Sequence, residues 1–147
     1  MALGVVVVSD ASSAGVVAAC RSRNLRPVFE GRDGAAGTLH DHWRLVNLGS
    51  ASCGVGGFPI VHNYRADGRP LPTSTTHSGS ASSVTLAPGQ HASFILSFPE
   101  PGNLGCTAQP AARMTIQTAA NQLPLITDRG ERSCHGHLNE TPLVHGG

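Results

Sequence analysis

The feature that most constrains this chain is a hydrophobic period of two that recurs between turn signals. In His91-Ala92-Ser93-Phe94-Ile95-Leu96-Ser97-Phe98, one face collects Ala92, Phe94, Leu96 and Phe98 while Ser93 and Ser97 fall on the other. That alternation describes a strand with one buried side. Arg113 to Gln117 alternates in the same way, Leu25, Pro27 and Phe29 share a face, Trp43 and Leu45 share one in the strand beginning near Leu39, and Phe58 to Tyr64 is a further β-rich run. Gln122 to Thr127 alternates too, but Pro124 cannot donate a ladder hydrogen bond, which places that run at a sheet edge. Asp67-Gly68 and Ala87-Pro88-Gly89-Gln90 supply turn chemistry. The Ser/Thr-rich stretch Thr73 to Ser83 reads as a solvated loop, and Gly54-Val55-Gly56-Gly57 as a tight turn next to a cysteine. No helical period longer than about a turn is present. The pattern predicts an all-β, immunoglobulin-like antiparallel β-sandwich of seven to eight short strands, with a small barrel as the alternative.

Four cysteines, Cys20, Cys53, Cys106 and Cys134, add a second constraint. None lies in a CxxC, so a zinc ribbon or thioredoxin-like centre is not indicated. An even number in a chain of exported character favours disulfides, and four cysteines allow three connectivities. Pairing sequence neighbours gives Cys20–Cys53 and Cys106–Cys134, each enclosing a hairpin-sized region.

Residues 1–19 differ from the rest. An apolar patch, Ala2 to Val8, precedes a small-residue stretch that ends in Ala18-Ala19, which resembles an export signal lacking its basic start. The expected organisation is therefore a signal-like or disordered segment over 1–19 and one domain over 20–147. Val17-Ala18-Ala19-Cys20 also fits a bacterial lipobox, which would make Cys20 a lipid anchor. The same sulfur cannot carry both a lipid and a disulfide, and the disulfide is preferred because lipidation would leave three cysteines.

Charge narrows the partners. All ten basic residues are Arg and nine residues are acidic, for a formal net charge of +1. A near-neutral surface cannot gather nucleic acid by field alone, and no apolar run approaches a membrane span. The absence of Lys fits coding bias.

In order along the chain come Cys20 with Leu25, then Gly34-Ala35-Ala36-Gly37-Thr38, Leu45-Val46-Asn47 leading to Cys53, and Gly57-Phe58-Pro59-Ile60-Val61. Asp67-Gly68, Val84 to Gln90, the Ala92 to Phe98 strand, Cys106, Cys134-His135-Gly136-His137-Leu138 and Thr141-Pro142-Leu143-Val144 follow. Over Cys20 to Gly147 this series resembles an actinobacterial secreted or lipoprotein-borne family, the domain of unknown function 4232. The resemblance implies an exported β-sandwich with structural cysteines and no catalytic residues to carry over; the family's common aromatic is displaced here to Trp43.

Chemistry-bearing constellations are sparse. No G-x-S-x-G is present, and Asp41 between two His is too generic for a relay. His40 and His42 share a strand face, and His135 and His137 repeat the spacing. A metal site would need both pairs to converge; otherwise they are solvent-facing alternates opposite Trp43 and Leu138. The expectation is a non-enzymatic, cofactor-free, secreted or envelope-associated module that binds a protein or cell-envelope component, with surfaces at Thr73 to Ser83 and Pro99 to Asn103. A metal-binding protein or metal-dependent enzyme using His40, His42, His135 and His137 is the alternative.

Overall fold

The computed structural model describes residues 17–146. The first sixteen residues, which hold most of the signal-like segment, lie outside that range. Eleven strands form the fold: β1 (Leu25–Ala35), β2 (Thr38–Asn47), β3 (Cys53–Gly56), β4 (Ile60–Tyr64), β5 (Ser74–His77), β6 (Ser83–Leu86), β7 (His91–Pro99), β8 (Arg113–Gln117), β9 (Leu125–Ile126), β10 (His137–Glu140) and β11 (Val144–Gly146). One helical turn, α1 (Pro101–Leu104), follows β7.

One layer is a six-stranded sheet in the order β1-β2-β7-β10-β5, with β11 also on β7. The other comprises the pair β3–β6 and the three-stranded sheet β4-β8-β9. Inward side chains of both layers meet in a single core. Trp43, Leu45, Ala92, Phe94, Leu96, Phe98 and Leu138 come from the large sheet, and Val55, Val61, Val84, Leu86, Met114, Ile116 and Leu125 from the other. Each large side chain fully enclosed there stabilises the fold by roughly 1.5–3 kcal/mol. The alternation at Ala92 to Phe98 is buried and half-exposed by turns, as the sequence predicts.

The four cysteines pair as Cys20–Cys53 and Cys106–Cys134. Ala18 and Cys20 hydrogen-bond to Gly54 on either side of a parallel bridge between Ala19 and Gly54. The residues just before Cys20 therefore run along β3.

Three local expectations change. The strand count among the described residues is eleven rather than seven to eight, because several ladders last only two to four residues. The Thr73 to Ser83 stretch is not all loop: Ser74–His77 pairs with β10, in parallel, so the sandwich is not purely antiparallel. Its hydroxyl side chains hid the period of two, since an edge strand with little buried surface needs few apolar residues. Gly54 to Gly56 lies in β3 rather than in a turn; a Cβ on Gly56 would come within 2.5 Å of the Ser82 carbonyl oxygen, so the strand needs glycine to approach β6. As Pro124 predicts, the run near it shrinks to two residues paired with β8 alone.

β1 carries a bulge between Phe29 and Gly31. Gly31 has φ 142, a region open almost only to glycine. The extra residue lets Phe29 pair with Trp43 and Arg32 with Asp41. Phe29 and Arg32, three apart, thus reach the same face, which a regular strand would forbid.

Candidate functional site

Asp41 and Trp43 both turn inward from β2, as their spacing of two dictates. Arg32 closes on Asp41 through two parallel hydrogen bonds, Nε to Oδ1 at 2.6 Å and Nη2 to Oδ2 at 2.8 Å. Arg129 stands 3.6 Å from the same Oδ2, with its guanidinium 3.6 Å over the Phe29 ring. Deeper in, Trp43 Nε1 donates to Glu131 Oε1 at 2.8 Å. Asn63 on β4 exchanges two hydrogen bonds with the Glu131 backbone, and so anchors that segment to the opposite layer.

Asp41 and Glu131 are both fully buried. Burial, and then the neighbouring Asp41 carboxylate, push Glu131 up to about 8. Burial also works to raise Asp41, but hydrogen bonds from Arg32 and Glu131 outweigh it and leave Asp41 below the usual carboxylate range. The pair therefore holds one proton, on Glu131, at neutral pH. Among the described residues no N–H or other O–H bonds Glu131 Oε2. Sequence reasoning passed over Asp41 as generic and did not weigh Glu131, since nothing local marks a carboxylate whose partners lie 88 residues away.

A second acid, Glu140 on β10, is also fully buried, and neither carboxylate oxygen has a hydrogen-bond partner. Desolvation alone pushes it up to about 8. His77 Nε2, on the paired strand β5, lies 3.5 Å from its Oε1, and the His77 ring is stacked on Phe58 at 4.0 Å.

The outer face of the large sheet presents a different chemistry. Thr76, Asn139, Ser97 and His40 stand in register across β5, β10, β7 and β2. His40 Nδ1 pairs with Ser97 Oγ at 2.7 Å, and Asn139 Nδ2 donates to Ser78 Oγ at 2.6 Å. Ser74 Oγ pairs with His137 Nδ1 at 2.6 Å. Two shallow hollows of about 230 and 450 Å³ open along this lane, and no Asp, Glu or Arg lines either. A His42–Asp33 hydrogen bond at 2.7 Å and the Arg44–Glu30 ion pair at 3.6 Å bound it on the β1 side.

The two His pairs do not converge. His40 and His42 face outward opposite Trp43, as the solvent-facing reading predicts. His135 is not in a strand: it sits at φ 54 ahead of β10, with its ring 6.4 Å from that of His137. Two ladder spacings and two residues of rise put the His40 and His137 backbones roughly 12 Å apart, and His42 is further still. Their rings are engaged separately, His40 Nδ1 with Ser97 Oγ and His137 Nδ1 with Ser74 Oγ. Among the described residues, no three His, Cys, Asp or Glu side chains gather as a metal set. The Pro99 to Asn103 segment forms the helical turn α1. A hollow of about 710 Å³ lies by Gly54 to Gly57, Ser82 to Thr85 and Thr118, and no titratable side chain among the described residues lines it. Among the described residues no helix is long and apolar enough to cross a membrane.

No curated protein matches the chain. A family model, Domain of unknown function (DUF4232), matches residues 20–144. That span begins at the first cysteine of one disulfide and takes in both bridges, all of β1 to β10 and the start of β11. The chain belongs to this DUF4232 family.

Proposed function

We propose that this protein is a non-catalytic, extracytoplasmic binding module of an actinobacterial cell envelope, and that it engages a protein or cell-envelope component through the outer face of its six-stranded sheet. The observation that carries the reading is the lane of Thr76, Asn139, Ser97 and His40, free of Asp, Glu and Arg, with Ser74 and His137 beside it. Its hydroxyl, amide and imidazole groups can exchange hydrogen bonds with sugar hydroxyls or peptide groups, and they impose no charge requirement. Two disulfides support an oxidising location. The strongly shifted acids lie inside the core, away from the large hollow, and so favour a structural role for both.

Binding of the oxidised domain to isolated cell-wall polysaccharide, peptidoglycan and envelope-protein fractions tests the proposal. One fraction is expected to bind saturably. Ser97→Arg and Asn139→Arg should abolish that binding, while Gln117→Arg on the other layer leaves it intact. Equal binding by all variants, or binding to no fraction, would overturn the reading.

A further inference from the structure

We infer that Glu140 and His77 form a proton-operated latch that fastens the edge strand β5 to the sandwich, tightening as pH falls and loosening as it rises.

β5 has one strand neighbour, β10, and is only four residues long. Of its side chains, Ser74 and Thr76 turn to the outer lane beside His137 and Asn139. On the inner side Thr75 lies beside Leu138, and His77 lies beside Glu140 with its ring laid on Phe58. The inward hold on β5 therefore passes largely through His77. Glu140 is enclosed between this strand and Leu96 of β7, its register partner on the other side.

A protonated carboxyl remains in that enclosure at a far smaller penalty than a carboxylate. Both oxygens lack a donor, and His77 Nε2 at 3.5 Å stands beyond a good hydrogen bond. Leu96 is the register partner of Glu140 from β7 and Phe58 covers His77, and neither titrates; His77 of β5 is the titratable group in contact with Glu140. Ionised Glu140 requires water. The β7 side is closed by Leu96, within the core, whereas the β5 side is an edge covered by a half-exposed imidazole. Water therefore enters by displacing His77, and β5 loosens with it. The consequence for the outer lane, which loses Ser74 and Thr76 when β5 opens, rests on the binding reading above. The latch itself does not.

Amide hydrogen exchange of the oxidised protein between pH 5 and pH 9, corrected for the intrinsic base-catalysed rate, tests the latch. The open state ionises near the ordinary Glu value and the closed state near 8. Protection of the amides that bond β5 to β10, Ser78 N–H on the Glu140 carbonyl among them, is therefore expected to fall by up to tenfold per pH unit below about pH 8 and to level off above it. Amides of β2 and β7 should show no such slope. Glu140→Gln, which keeps the shape of the neutral acid, should remove the slope, and Glu140→Met should do the same should the amide perturb packing. An undiminished slope in both variants, a slope shared equally by β7, or no slope in the wild-type chain overturns the latch.

Discussion

Trp43 donates its indole N–H to Glu131 at 2.8 Å inside the sandwich, although 88 residues separate them in the chain. This bond joins β2 to the segment that leads into the Cys134 bridge, and Asn63 ties the same segment to β4. The two layers are thus connected by a polar path as well as by apolar packing.

Glu131→Gln is expected to be tolerated. Its carbonyl oxygen can accept from Trp43 and its amide can donate to Asp41, as the protonated acid does. Stability by urea denaturation at pH 7 should stay within about 1 kcal/mol of wild type, whereas Glu131→Ala should cost roughly 2–4 kcal/mol by leaving the indole unpartnered beside a void. A larger loss in the Gln variant than in the Ala variant would show that Glu131 is ionised.

Stability should peak on the acid side of neutrality. Glu131 and Glu140 are each raised from 4.5 to about 8. The unfolded chain releases these protons above 4.5 while the folded chain keeps them, so their contribution is full below that value and is lost as pH rises towards 8, by up to about 1.4 kcal/mol per unit for each group. Asp41 is lowered and has the opposite sign: its contribution is lost as pH falls through its folded value. Thermal unfolding across pH 3 to 9 should give a maximum near pH 5, and Glu140→Gln should flatten the alkaline limb.

Gly31→Ala isolates the backbone demand of the bulge. A Cβ there would meet nothing within 4 Å, so any cost arises from φ 142. A loss of roughly 1–3 kcal/mol is expected, accompanied by weaker pairing of Arg32 with Asp41. Unchanged stability would mean that β1 can reach the same face without the bulge.

Each disulfide closes a loop worth about 3–4 kcal/mol in the chain-entropy model, the separations being 33 and 28 residues. Replacing Cys20 and Cys53 by Ala should cost more than replacing Cys106 and Cys134, because Cys20 is a member of the core and Cys106 is not. Intact mass should show both bridges closed. A diacylglyceryl adduct on Cys20 would exclude the first of them, and equal losses in the two double variants would remove the packing argument.

The buried face of β7 and the outward placing of His40 and His42 were legible from spacing within a strand; an even cysteine count favoured bridges, and joining sequence neighbours chose the observed pairing among the three that parity leaves open. β5 was not, since an edge strand of Ser and Thr has no apolar face to read. Asp41 was visible as a residue and invisible as a site: its role depends on Arg32, brought to the inner face by a bulge, and on Glu131, delivered by the far end of the chain.

The sequence by itself determined an all-β domain bearing two structural disulfides, because a hydrophobic period of two and paired cysteines are local or countable properties. Only the tertiary structure decided where the buried charges meet. The enclosure of Glu140 behind His77 and the polar lane across four strands arise from cross-strand register, and Glu131 reaches Asp41 from a segment outside the strands that Asn63 and Trp43 hold inside the sandwich. Register is set by the packing of the whole sandwich, so residues far apart in the chain acquire their chemistry only when the layers close.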